Sequence, residues 1–170
     1  MVLSSLIDNK SIDNLLIEEI MNLSNFKEAI IFAIRKEQDA ATMYETYGNV
    51  AKNLGAKRMF ADLAKEELRH KKLLEGVTPA DIKDYKLTKI PNLKIAEYSV
   101  DEEFNPDMTY QDALLLAIKK EEKSYKLYHS LIKGTAQPQL QKLFQTLAAE
   151  ESKHKLKLET EYDENVLKEA

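Results

Sequence analysis

Two Glu-x-x-His pairs, Glu67 with His70 and Glu151 with His154, stand 84 residues apart, and each follows a lone glutamate, Glu37 or Glu121, at the same thirty-residue interval. Residues three apart on a helix occupy adjacent turns of one face, so the two side chains of a pair can reach the same ion or two neighbouring ions. One such pair carries little weight. Two in register, each matched by a glutamate at the same interval, describe a site for a pair of metal ions made from Glu37, Glu67, His70, Glu121, Glu151 and His154.

The surroundings of these residues explain why a cation is required. Glu37 falls on an apolar stripe of Ile30, Ala33, Ile34, Ala40, Ala41 and Tyr44, and Glu121 on the matching stripe of Leu114, Ala117, Ile118, Tyr125 and Tyr128. Glu67 and His70 lie between Phe60, Leu63, Ala64 and Leu74, while Glu151 and His154 lie between Phe144, Leu147, Ala148 and Leu158. Burying an unpaired carboxylate costs several kcal/mol, and four together add mutual repulsion. Two divalent ions bring four positive charges against four carboxylates and leave neutral imidazoles to complete the coordination.

The elements that must position them form an internal repeat. Displacing the sequence by 84 positions aligns residues 25–75 with 109–159 without a gap. The identical pairs include Ala33/Ala117, Lys36/Lys120, Glu37/Glu121, Tyr44/Tyr128, Phe60/Phe144, Glu66/Glu150, Glu67/Glu151, His70/His154 and Lys71/Lys155. Each copy reads as two helices joined by a turn, near Asn53-Leu54-Gly55 in one and Lys133-Gly134 in the other, with Pro138 in the first turn of the fourth helix. Capping boxes, Asn25 with Glu28 and Thr109 with Asp112, mark the two starts. Glu37 and Glu67 lie roughly 20 to 24 Å from their shared turn along each helix, so they meet at one level.

Residues 76–108 hold Pro79, Pro91 and Pro106 and read as a crossover, with Thr78-Pro79 starting one short turn of helix. That length can run the span of a long helix, which lets the second and third long helices lie parallel. The expected fold is all-α: a bundle domain over 25–170 preceded by an extension, 1–24, with a short helix around Ile12 to Met21.

Neighbouring residues carry weaker signals. Glu66, Glu150, Lys36 and Lys120 also repeat, but adjacent positions on a helix point elsewhere, so they read as solvated surface. Tyr44 and Tyr128 lie two turns beyond the lone glutamates, where each phenol either hydrogen-bonds a ligand carboxylate or packs in the core. His129 has no repeat partner and reads as a surface or hydrogen-bond-satisfied histidine rather than a ligand.

Composition narrows the rest. A net charge of -4 with dispersed basic residues gives nucleic acid no footprint. No stretch is apolar enough for a membrane span, and the N-terminus lacks a basic region followed by a cleavable apolar run, so a cytoplasmic protein is expected. The sequence contains no cysteine, which excludes disulfides, iron-sulfur clusters and a rubredoxin-type centre within it.

With this set of residues the chain resembles the ferritin-like di-iron carboxylate proteins, whose metals are held by a Glu from each of two helices and a Glu-x-x-His from each of the other two. Among them it looks most like the rubrerythrin group, over residues 25 to about 160. The resemblance implies a four-helix bundle binding two iron ions and reducing hydrogen peroxide or dioxygen with electrons from an external donor, such as a rubredoxin or a reductase. Manganese, or a mixed pair, suits the same ligands. A homodimer is expected. Two departures are visible: the cysteine-containing rubredoxin-like segment is missing, and Ser124 stands where rubrerythrins carry an additional ligand glutamate. Ala40 supplies no carboxylate at the symmetric position, so the six-ligand set is closer to that of bacterioferritin. The residue after Glu67 is Leu68 rather than the methionine that binds haem there, which gives haem no support. The alternatives are a ferroxidase or iron-handling protein, an oxygenase using space beside Ala40, Ala41 and Ser124, and a non-catalytic bundle.

Overall fold

The computed structural model describes residues 26–83, 92, 94, 96 and 103–167. Four long helices dominate it: α1 Phe26–Val50, α2 Leu54–Glu75, α4 Tyr110–Gly134 and α5 Pro138–Tyr162. A single helical turn, α3 Pro79–Lys83, begins the crossover as Thr78-Pro79 suggested, and a π-helical turn, Asp163–Leu167, continues α5. No strand occurs among the described residues. The expected helix near Ile12 to Met21 and the Asn25 cap lie outside them.

Local chemistry sets the helix boundaries. The capping box at Thr109 forms: its side chain accepts from the Asp112 N–H, and the Asp112 carboxylate accepts from the Thr109 N–H. Asn53 caps α2 through the Ala56 N–H. The first turn is therefore earlier than expected, because Asn53 ends it and Gly55 already belongs to α2. Gly55 is there for close approach: a Cβ on it would lie 3.0 Å from Cδ2 of Tyr110. The second turn is later, at residues 135–137, and Gly134 is the last residue of α4. Pro138 occupies the first turn of α5, where a missing N–H costs nothing.

Contacts at one end of the bundle fix its topology. Lys52 N–H donates to the Pro106 carbonyl, Gly55 abuts Tyr110, and Gln111 reaches the Tyr162 hydroxyl at 3.1 Å. The end of α1, the starts of α2 and α4 and the end of α5 thus share one end, so α2 and α4 run parallel. Two apolar layers result. Ala56, Met59, Phe60, Leu114 and Leu158 fill the end with the first turn, and Phe32, Leu74, Leu131, Leu140 and Leu143 fill the other. The polar residues of interest lie between them.

Candidate metal centre

Glu37 comes from α1, Glu67 and His70 from α2, Glu121 from α4, and Glu151 and His154 from α5; none is more than 5% exposed. All six sequence-derived positions are brought together. Three overlapping groups of donor atoms result among the described residues: Glu37, Glu67, His70 and Glu151; Glu67, Glu121, Glu151 and His154; and Glu67, His70 and His154, each with its atoms within 4.8 Å of one another. Glu67 and Glu151 belong to both four-residue groups, so each would serve either ion of a bound pair.

The imidazoles present Nδ1 to this space. His154 Nδ1 lies 3.2 Å from both Glu67 Oε1 and Glu121 Oε2, and His70 Nδ1 lies 3.4 Å from Glu37 Oε2. The two rings stack, 4.8 Å between centroids and within 4° of parallel. Their far nitrogens face carboxylates of the opposite hairpin: His154 Nε2 is 3.0 Å from Glu66 Oε2, and His70 Nε2 is 3.6 Å from Glu150 Oε2. A proton held on Nε2 leaves the Nδ1 lone pair free for a metal.

Glu66 and Glu150 are thus not the solvated surface their positions suggested. Their side chains are 27% and 25% exposed, and Lys157 and Lys153 approach them at 2.9 and 2.6 Å. Both recur in the repeat, which was the available signal; that a neighbouring helix would face them was not visible in a single-helix pattern. Lys155 and Glu159 are also buried, and Lys155 Nζ donates to Glu122 at 2.6 Å and to Asn92 Oδ1 of the crossover at 2.8 Å. His129 is exposed, edge-on to Tyr125, as expected.

Tyr44 and Tyr128 are fully buried and act across the hairpins. Tyr128 donates to Glu37 Oε1 at 2.7 Å, and Tyr44 donates to Glu121 Oε1. Each lone glutamate is oriented by the phenol of the other hairpin, leaving its second oxygen for the centre.

The electrostatics show what the site demands. Burial pushes Glu67 up to about 8, aided by the charges of Glu121 and Glu37 and opposed by His154. Burial and the charges of Glu121, Glu67 and Glu37 hold Glu151 well above the usual carboxylate range. Burial would lower His70 and His154, yet Glu150 and Glu37 lift the first to about 9, and Glu121 and Glu67 lift the second to about 10. Burial raises Glu37 too, but hydrogen bonding with His70, Glu67 and Tyr128 outweighs it and leaves that group below its ordinary value. Glu37 Oε2, Glu67 Oε1 and both ring nitrogens of His70 are buried without a hydrogen-bond partner. Orphaned oxygens and proton-holding ligands in one dry space fit a divalent ion pair.

The rubrerythrin family model matches residues 28–109 and 112–169. The chain belongs to the rubrerythrin family. No curated protein and no solved structure matches it. As a rubrerythrin-family bundle it has carboxylates and imidazoles able to hold metal, and without cysteine it can hold no iron-sulfur cluster. None of its described helices is long and apolar enough to cross a membrane.

Proposed function

We propose that the chain is a di-iron carboxylate oxidoreductase that reduces hydrogen peroxide or dioxygen with electrons from an external donor. The observation that carries this reading is the sharing of Glu67 and Glu151 between the two four-residue donor groups, which suits two adjacent ions rather than one. When bound, the iron pair supplies two one-electron changes at adjacent positions, matching the two electrons needed to split an O–O bond.

The protein's own residues prepare that chemistry. His154 is aimed by Glu66, His70 faces Glu150 at 3.6 Å, and Glu37 and Glu121 are aimed by Tyr128 and Tyr44. The apolar layers at either end exclude bulk water and strengthen every electrostatic contact inside. Glu67, His70 and His154 release protons as ions bind. These residues include no cysteine, so the electrons of this reading come from outside them, from a donor such as a rubredoxin or a reductase, and a homodimer is the proposed assembly.

Ferroxidase action is the second reading, and Ser124 favours it. One turn beyond Glu121, this half-buried serine offers no carboxylate where the family resemblance leads one to expect a glutamate. Stopped-flow mixing of anaerobic di-ferrous protein with peroxide, and separately with oxygen, decides between them. Rapid ferric absorbance with peroxide, slower with oxygen and with the iron retained, is expected. Many turnovers of added Fe(II) with mineral formation would overturn the oxidoreductase reading in favour of ferroxidase action.

A further inference from the structure

Among the described residues, a line of aromatic rings leads from the centre to the surface in one of the two hairpins. Tyr44, whose hydroxyl donates to Glu121, stacks with Phe60 at 6.1 Å between centroids. Phe60 meets Tyr47 edge-on at 5.4 Å, and Tyr47 lies flat against Phe104 of the crossover at 4.1 Å and 5°. Tyr44 and Phe60 are buried, whereas Tyr47 and Phe104 are half-buried. The second hairpin begins the same way, with Tyr128 on Phe144 at 6.5 Å, but Leu131 stands where Tyr47 would be and the line goes no further among the described residues.

We propose that Tyr44 and Tyr47, bridged by Phe60, form a one-electron relay between the metal centre and the surface near Phe104. The proposal rests on the reading of the centre as one that meets peroxide. A phenol loses an electron readily only when its proton has somewhere to go, and Tyr44 has Glu121 for that purpose. Phe60 is not oxidised; its ring shortens the gap the electron must tunnel. Tyr47 is accessible enough to exchange electrons with a small reductant in water.

The relay acts when peroxide receives a single electron and leaves a hydroxyl-radical equivalent in the site. Tyr44 gives one electron, which turns that equivalent into hydroxide, and its phenolic proton moves to Glu121 Oε1. Tyr47 then gives an electron through Phe60, Tyr44 recovers its proton from Glu121, and the Tyr47 proton passes to water. A thiol restores Tyr47 by giving up a hydrogen atom and becoming a thiyl radical. In sum, a hydroxyl radical and a thiol become hydroxide, a proton and a thiyl radical. The damaging equivalent leaves the core before it can attack the surrounding leucines.

The test loads anaerobic protein with too little Fe(II) to fill both positions, adds peroxide, and follows tyrosyl radicals by freeze-quench electron paramagnetic resonance, with ferric absorbance recorded in parallel. The unsubstituted protein should give a tyrosyl signal that added thiol removes quickly. In Tyr47→Phe the radical should be confined to Tyr44, with a changed spectrum and a decay in thiol about tenfold slower, equivalent to a barrier higher by roughly 1.4 kcal/mol. Tyr44→Phe should give no early signal. Tyr47→Phe is half-buried and conservative, so the bundle is retained. Ferric absorbance without any tyrosyl radical, or identical signals and decay in Tyr47→Phe, overturns the relay and leaves the peroxide reading intact. Absence of iron oxidation by peroxide overturns both.

Discussion

Glu67 sits against Glu37 and Glu121 with one oxygen unpartnered, a position that suits a metal and opposes folding. Glu67→Gln should therefore raise the stability of chelator-treated protein by roughly 1 to 2 kcal/mol in urea unfolding near neutral pH, since a neutral amide of the same shape replaces a carboxyl that must take up a proton to be buried. The same change should weaken metal binding. Glu66→Gln and Glu150→Gln should each lower metal affinity on the order of 10- to 100-fold in competition with a chelator, because the histidine beyond loses the carboxylate that fixes its orientation. Unchanged affinity in both would show that Glu66 and Glu150 merely face the rings. The inward residues were legible because a carboxylate on an apolar stripe breaks the pattern around it. Glu66 and Glu150 were not, because their partners are imidazoles of the other hairpin, and a helical pattern says nothing about which helix lies opposite.

At the level of elements, the close pairing of α1 with α2 depends on Gly48, where a Cβ would lie 3.3 Å from both the Ala61 nitrogen and the Lys57 carbonyl. Those neighbours are backbone and cannot turn aside. Gly48→Val should cost about 1 to 3 kcal/mol of unfolding free energy through overpacking. Thr109→Ala should cost about 1 kcal/mol, the usual loss of a capping side chain, and leave metal stoichiometry unchanged. The helices were legible from their stripes and caps, while the turn positions were displaced. Glycine served as a turn marker in the sequence, yet Gly55 is used for its missing side chain against Tyr110, a contact between segments far apart in the chain.

For the whole molecule, the polar layer between two apolar ones makes stability and metal binding oppose each other as pH changes. His70 and His154 rise in the fold to about 9 and about 10 from an ordinary 6.5, so their contribution is complete below that ordinary value and is lost as pH climbs through the folded values. Glu67, raised from 4.5 to about 8, acts in the same sense, because the fold favours its protonated form. Chelator-treated protein should therefore melt lower at about pH 9 than at about pH 6, whereas metal affinity should rise over the same interval as the competing protons leave. A flat melting profile would contradict these assignments. The most direct test of the paired centre is an anaerobic equilibrium titration of metal-free protein with Fe(II), counting bound ions and released protons. Two ions per chain, protons released on binding, and loss of the pair when Glu67 and Glu151 are both replaced by alanine are expected. Saturation at one ion, or two ions still bound in that double variant, would contradict the paired centre.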